Sequence, residues 1–560
     1  MFILNNNLFG AALAASFLAV LFITMRSKLT LIAAAFLLLG FINYYLYYSI
    51  VPPQNCTVRV AEIKTSYSIG SYSGRKVILR GDMKGLKEGE RIFLKGNYTS
   101  GPQFDRGIIG EIDVKSFIHT EKDLIYKVYE FKRNLFGRYK DNIGEEGAAE
   151  VMAVAFGDDS YLNVDTMDEM SELGIVHVIS VSGLHMALIY KVCEMLLGFG
   201  GGMAVSVIYC LFTGAAPSAV RSLVMIIVLK LSRKVYKNYD PLSSLCLAAI
   251  IVIMLKPSNA LDLGSLLSFL AVLGIFLHYE KIKRVLWRIP LKLNESASLT
   301  ISAQVYSLPV CIMAFNSIST ASIQGNIFIV PLYSIILVLG NLSMIFVNLD
   351  SIFKGFCFFI KLVFESIDGG RSLLQSFSTG LIYMSYVDGW VLVIIYISYM
   401  LYKRVNRRFI WLPLFSVFFY AAASFSPFPQ FEYAKVGNSN AVIYRHGFKS
   451  ILFLNKSQNT DDEIMLCKKF NVWRIEDSGR EGDFTYREKG LSFTVVSNKN
   501  DVRILLLQGK DELKMAFADE SVSASMSKFY DIIYLPYKKT YHFYDELLHV
   551  LIICGKPIKL

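Results

Sequence analysis

Residues 174–186 read G-I-V-H-V-I-S-V-S-G-L-H-M, and the fold turns on how this stretch is taken. It is apolar enough to enter a bilayer, yet it holds His177, Ser180, Ser182, Gly183 and His185. Polar groups at membrane depth cost free energy unless they face a partner or a wet cavity. Read as part of one helix over 173–197, Ser182 and His185 fall three apart and share a face. His177 and His185 then stand roughly 80° apart around the axis. Three readings stay open: the cluster lines a passage, it pairs Ser182 with a histidine base as an intramembrane serine hydrolase, or it is helix–helix glue. A zinc site lacks a third ligand here, so no metal or other cofactor is expected.

The flanks decide the class. Of 560 residues 54% are hydrophobic, and the mean hydropathy is +0.43. That excludes an ordinary soluble protein and points to many membrane spans with soluble parts. Between 173 and 425 the apolar runs are 173–197, 203–232, 240–256, 262–279, 298–320, 322–347, 352–368, 381–402 and 409–425. Basic clusters fall between them, at Lys230–Lys237, Lys281–Arg288 and Lys403–Arg408, and cytoplasmic placement of all three is expected. The net charge of +11 is thereby mostly topological. The run 203–232 is interrupted by T-G-A-A-P-S (213–218), with Pro217 opening a second half that carries Arg221. Half-length helices are tolerated where they line a cavity or pack inside protein. Arg221 with free helix N-terminal amides would make a positive spot at depth. Asp262, Gln304, Asn326 and Asn341 join it as candidates for a polar path.

Upstream, residues 1–51 hold two apolar runs, 8–25 and 29–51, separated by Arg26 and Lys28. With the charge after the first run, they read as two anchoring helices rather than a cleaved leader. Residues 52–120 alternate apolar and polar and form an antiparallel, OB-like barrel. Tyr67, Tyr72, Arg80 and Tyr98 are its candidate contacts to a nucleic-acid strand, although aromatics are also ordinary strand formers. An amphipathic helix and polar linker occupy 121–172. Residues 426–560 return to soluble composition and read as a small α/β domain. His446, His542 and His549 lie too far apart for a binuclear metal site. The eight cysteines form no metal or disulfide framework.

Several spaced motifs resemble the ComEC-type competence family. They are F-G-D-D-S (156–160), H-V-I-S-V-S-G-L-H-M (177–186), T-G-A-A-P-S-A-V-R-S-L-V-M (213–225), L-G-S-L-L-S-F-L-A-V-L-G-I (263–275), and Gly325-Asn326 followed by Pro331. The resemblance implies an inner-membrane, multi-pass channel that passes single-stranded DNA into the cytoplasm during natural transformation. The barrel and the C-terminal domain would then both be extracytoplasmic. His177, Ser182, Gly183, His185, Pro217 and Arg221 would border the DNA path. A DNA receptor outside and a cytosolic ATP-driven motor would be partners, since no Walker-type G-x-x-x-x-G-K-[ST] occurs in the chain. The family commonly carries a metallo-β-lactamase-like C-terminal domain. Here V-G-N-S-N (436–440) replaces its usual D-V-G-Q-G-D, so residues 426–560 resemble a degenerate version without nuclease activity. The alternatives kept beside this reading are the serine hydrolase and a transporter of another anionic solute.

Overall fold

Strict alternation along β1 (Asn55–Ile63) buries Val58 and Val60 and turns their neighbours outward, the pattern of a strand on a closed core. The computed structural model describes residues 27–64, 67–81, 83, 85–104, 106–120, 122–236, 238–377, 380–436 and 439–454. Beyond these it describes 460–472, 474–477, 483–488, 491–497, 501–508, 511–518, 532–534, 548–553 and 556–559. The apolar run 8–25 lies outside the described residues. β1, β2 (Ser68–Tyr72), β3 (Arg75–Arg80), β4 (Arg91–Gln103) and β5 (Ile108–His119) close a barrel in the order β1-β2-β3-β5-β4. The antiparallel expectation holds except at one seam, where β3 and β5 run parallel to close it. Val58, Val60, Val77, Leu79, Ile92, Leu94 and Ile112 fill the interior. Each contributes about 1.5–3 kcal/mol of apolar burial.

Helix α1 (Ser27–Tyr48) ends under the barrel, and Arg75 caps it by donating from Nε to the Tyr47 carbonyl at 2.8 Å and from Nη2 to that of Leu46 at 3.0 Å. α2 (Leu124–Ile143) leaves the barrel through Asp123, whose carboxylate accepts from the Tyr126 amide at 3.0 Å and from Arg59 Nη1 at 2.9 Å. Its apolar face, with Leu135 and Tyr139, is buried in protein. The Arg59 guanidinium holds the Asp123 carboxyl below the usual carboxylate range. A carboxyl depressed in the folded state stabilises above its unfolded pKa of about 3.9 and loses that contribution as pH falls further. Asp123→Asn is therefore expected to lower the melting midpoint near about pH 7 and to flatten its decline below about pH 4. A pH series of thermal melts on the purified chain checks this; parallel wild-type and variant profiles would refute it.

Residues 145–172, expected as a polar linker, contain the most buried helix of the unit. In α3 (Glu145–Phe156) every residue from Ala148 to Phe156 is buried. α4 (Val164–Glu172) follows. The expected helix over 173–197 is corrected. Residues 176–178 make a single 3-10 turn, and α5 begins only at Gly183. α5 (Gly183–Phe212) breaks at Gly198, whose φ of 72° suits glycine, and folds back on itself. A Cβ on Gly202 would stand 2.9 Å from Glu194 Cα. The two ends of the segment meet, since a Cβ on Gly157 would lie 2.6 Å from Val181 and 3.7 Å from Thr213. α6 (Pro217–Lys234) starts after the break that T-G-A-A-P-S foretold.

α7 (Pro241–Leu255), α8 (Leu263–Val285) and α9 (Leu291–Phe315) come next. The run 322–347 is a bent pair, α10 (Ser322–Phe328) and α11 (Val330–Ile345), at 45°. The run 352–368 widens to α12 (Asp350–Phe377), amphipathic along its length. By length and composition alone, three helices among the described residues suffice to cross a membrane, Gly183–Phe212, Leu263–Val285 and Leu291–Phe315, the first of them interrupted at Gly198. A fourth is added if the bent pair counts as one. The core of this unit gathers α2, α3, the 173–179 turn, α11 and α12 around Phe156, Tyr333 and Phe353.

The chain divides into two units, Met1–Val305 with Ala321–Ser378, and Tyr306–Thr320 with Thr379–Leu560. The second holds α13 (Tyr386–Arg404), α14 (Leu414–Ser424), a two-stranded ribbon of Ser317–Ser319 with Leu381–Tyr383, and two larger sheets. One larger sheet has six strands and the other five. Phe431, Tyr444, Ile451 and Phe453 of the first share a core with Phe493, Val495, Ile504 and Met515 of the second. With one described helix, Thr460–Lys469, the C-terminal region is richer in strand than the α/β expectation.

Candidate functional site

Ser182 ends the turn that follows His177 and caps α5. Its amide donates to His185 Nδ1 at 3.1 Å, and its Oγ stands 2.7 Å from the same nitrogen. The two residues form a capping box, with Ser182 at the N-cap and His185 at the third helical position. They thus share the helix start rather than one face of a through helix. A ring nitrogen already accepting a backbone N–H serves the cap, which a helix start requires and a nucleophile–base pair does not. His185 is buried, whereas His177 and Ser180 are exposed.

Helix α6 packs on this start. Ser218 Oγ donates to the Val181 carbonyl at 2.6 Å. Pro217, the first residue of α6, sets the break that brings Ser218 there. A Cβ on Gly183 would meet Ser222 Oγ at 3.1 Å and Arg221 Nη2 at 3.3 Å, so glycine allows this approach. Arg221 is only 5% exposed. Its Nε donates to Ser268 Oγ at 3.0 Å, and its guanidinium lies 5.9 Å from the Phe269 ring centroid. Four motifs far apart in the chain therefore touch, and the fifth packs just upstream of the second. F-G-D-D-S meets the 177–186 motif at Gly157 and Val181, and the 213–225 segment at Thr213. Arg221 meets Gly183 and Ser268, and Gly325 packs on Leu173 and Ile175 beside the turn.

The other polar candidates satisfy local bonds. Asp262 caps α8 through the Ser265 amide at 2.7 Å. Gln304 donates to Ser322 Oγ at 3.1 Å, and Asn326 to the Ser322 carbonyl at 2.7 Å. Asn341 donates to the Leu337 carbonyl at 2.9 Å and to that of Ala155 at 3.3 Å. In the barrel, Tyr72 and Tyr98 pack against the core, and Tyr98 donates to the Ile109 carbonyl at 2.8 Å. Arg80 is paired with Glu111 at 2.6 Å, and Tyr67 is half-buried.

One polar group escaped the sequence reading. Glu150 and Arg371, both buried, pair at 3.0 Å, and Tyr333 donates to Glu150 at 2.6 Å while contacting Arg371. Glu169, at 3.4 Å, adds a second carboxylate. The available signal was an acid inside A-A-E-V-M-A-V-A-F, where an uncompensated charge would be costly.

Residues 154–408 match the family described as Competence protein. The chain is similar to ComE operon protein 3 of Bacillus subtilis (strain 168), 24% identical over 227 residues, covering 39% of this chain and 29% of that protein. It is also similar to Uncharacterized protein YcaI of Escherichia coli (strain K12), at 26% identity over 36% of this chain and 29% of the relative. Uncharacterized protein MG316 homolog of Mycoplasma pneumoniae is 26% identical over 29% of this chain and 42% of its own length. The chain thus spans less than half the length of each of these relatives. No solved structure matches.

Proposed function

Residues 154–408 make this chain a ComEC-type competence protein, and from that premise we propose that it takes part in DNA uptake as an inner-membrane channel for single-stranded DNA. One observation carries the reading: four of the motifs meet around the two ends of α5, where polar groups and a buried arginine gather in otherwise apolar helices. His177, Ser182, Gly183, His185, Pro217 and Arg221 border the proposed path.

Orientation follows from the charges. The Gly198 turn lies with Lys230, which pairs with Glu194 at 2.6 Å, and with Lys234, which sits over the Phe199 ring. By the positive-inside rule this turn faces the cytoplasm. The motif then faces outward together with the barrel, which reaches it through Arg133 on Glu88 and Lys132 over Phe212. Both arms of α5 fall short of the about 20 residues a bilayer crossing needs, so they form a recessed hairpin beside α6. The barrel, read as OB-like, receives the strand outside, and the C-terminal domain, also outside, is a degenerate metallo-β-lactamase-like remnant. A receptor supplies the DNA outside, and a cytosolic ATP-driven motor draws it in.

The test is entry of labelled DNA into the cytoplasm of cells with and without this chain. Entry is expected to depend on the chain and to return with a plasmid copy. Equal entry without it would end the channel reading.

A further inference from the structure

A helix start leaves four backbone N–H groups without intrahelical partners. At α5 the capping box uses two of them, the amides of Ser182 and His185. The amides of Gly183 and Leu184 have no hydrogen-bond partner among the described residues. Gly183 is half-buried and Leu184 is 51% exposed, so this start opens to a surface. Arg221 supplies the second, independent observation. It is more than nine-tenths buried, and among the described residues it has no carboxylate partner. Nε is used by Ser268, and Nη1 has only the Met225 sulfur at 3.8 Å. Nη2, with no hydrogen-bond partner among the described residues, points at Gly183.

We propose that the Gly183 and Leu184 amides and Arg221 Nη2 form a seat for one phosphodiester group of a nucleic-acid strand. The proposal rests on the DNA-channel reading and names the atoms that grip the strand. A buried guanidinium without a counter-charge lacks one negative charge, and a phosphodiester carries one. One terminal oxygen accepts from the two amides, at the positive end of the helix dipole. The other accepts a charge-assisted bond from Nη2. A glycine at the first helical position leaves the gap open, since any Cβ there would project between the amides and the guanidinium. The amides belong to α5, whereas Arg221 belongs to α6, so the seat exists only when the two helices are packed.

The test uses the full chain in maltoside micelles and a fluorescent oligothymidylate of about 15 nucleotides, followed by anisotropy across a salt series. Arg221→Gln is expected to weaken binding about tenfold and to reduce the slope of log affinity against log salt by about 0.7, the share of one phosphate on a single strand. Gly183→Val is expected to weaken binding at unchanged net charge. Arg221→Lys, which keeps the charge, is expected to retain the slope and serves as the comparison if Arg221→Gln does not fold. Wild-type affinity and slope in folded Gly183→Val, together with a wild-type slope in Arg221→Gln or a changed slope in Arg221→Lys, would overturn the seat. Displacement of the oligonucleotide from wild type by short-chain phosphatidylglycerol, lost in Arg221→Gln, would assign the seat to a lipid headgroup and overturn the nucleic-acid assignment. DNA entry into cells lacking the chain sinks the channel reading alone, because oligonucleotide binding by the purified chain is scored separately.

Discussion

Arg371→Met is expected to cost about 3–5 kcal/mol, the largest stability loss of any single substitution considered, because it leaves a buried carboxylate without its counter-charge. Glu150 is 5% exposed and takes both its charged partner and the Tyr333 hydroxyl from distant helices. Glu169 and Asp368, the outer partners of Arg371, have side chains 47% and 68% exposed, so water replaces the lost contacts there. Glu150 has no such access. The double variant Glu150→Met with Arg371→Met is expected to recover most of the loss, since an apolar replacement of a buried pair is often neutral. Melts of the purified chain followed by size-exclusion fluorescence read both. If Arg371→Met melts with wild type, or if the double variant is worse than the single, the pair does not hold α3, α11 and α12 together as described.

Loss of DNA entry to the level of cells without the chain is the result expected for Gly325→Val. A Cβ at this position would stand 2.5 Å from the Leu173 carbonyl and 3.0 Å from Ile175. Neither contact is a flexible side-chain end free to swing away: one is backbone, and Ile175 is fully buried. The clash is relieved only by shifting the turn that carries His177 and leads to the Ser182 cap. Overpacking of this kind costs about 1–3 kcal/mol, which a large core tolerates, so the lesion falls on the site rather than on the fold. Gly355→Val is the matched control, because a Cβ there meets nothing within 4 Å. Membrane levels of both variants are measured beside entry. Normal entry in Gly325→Val at normal abundance would show that the geometry of the turn is irrelevant to transport.

Much of the architecture was legible before any coordinates. The alternation of R-K-V-I-L-R and R-I-F-L-K-G announced strands, and β3 and β4 contain them. The T-G-A-A-P-S break stands between α5 and α6. Other stretches misled for identifiable reasons. E-E-G-A-A-E-V-M-A-V-A-F looked like a polar linker because its acids sit at the front, yet every side chain from Ala148 to Phe156 behind them is buried. Over 173–197 the apolar run masked a turn and a helix start, because hydropathy does not register backbone direction. The hairpin at Gly198 was hidden for the same reason, glycine being equally at home within an apolar span.

The sequence by itself determined which stretches are apolar and which alternate, since these depend on composition and local period. Only the tertiary structure decided that Ser182 and His185 are a helix cap, that Arg221 faces that cap, and that Arg371 answers Glu150 across 221 positions. Such pairings depend on how distant helices pack, and no periodicity within a single helix carries that information.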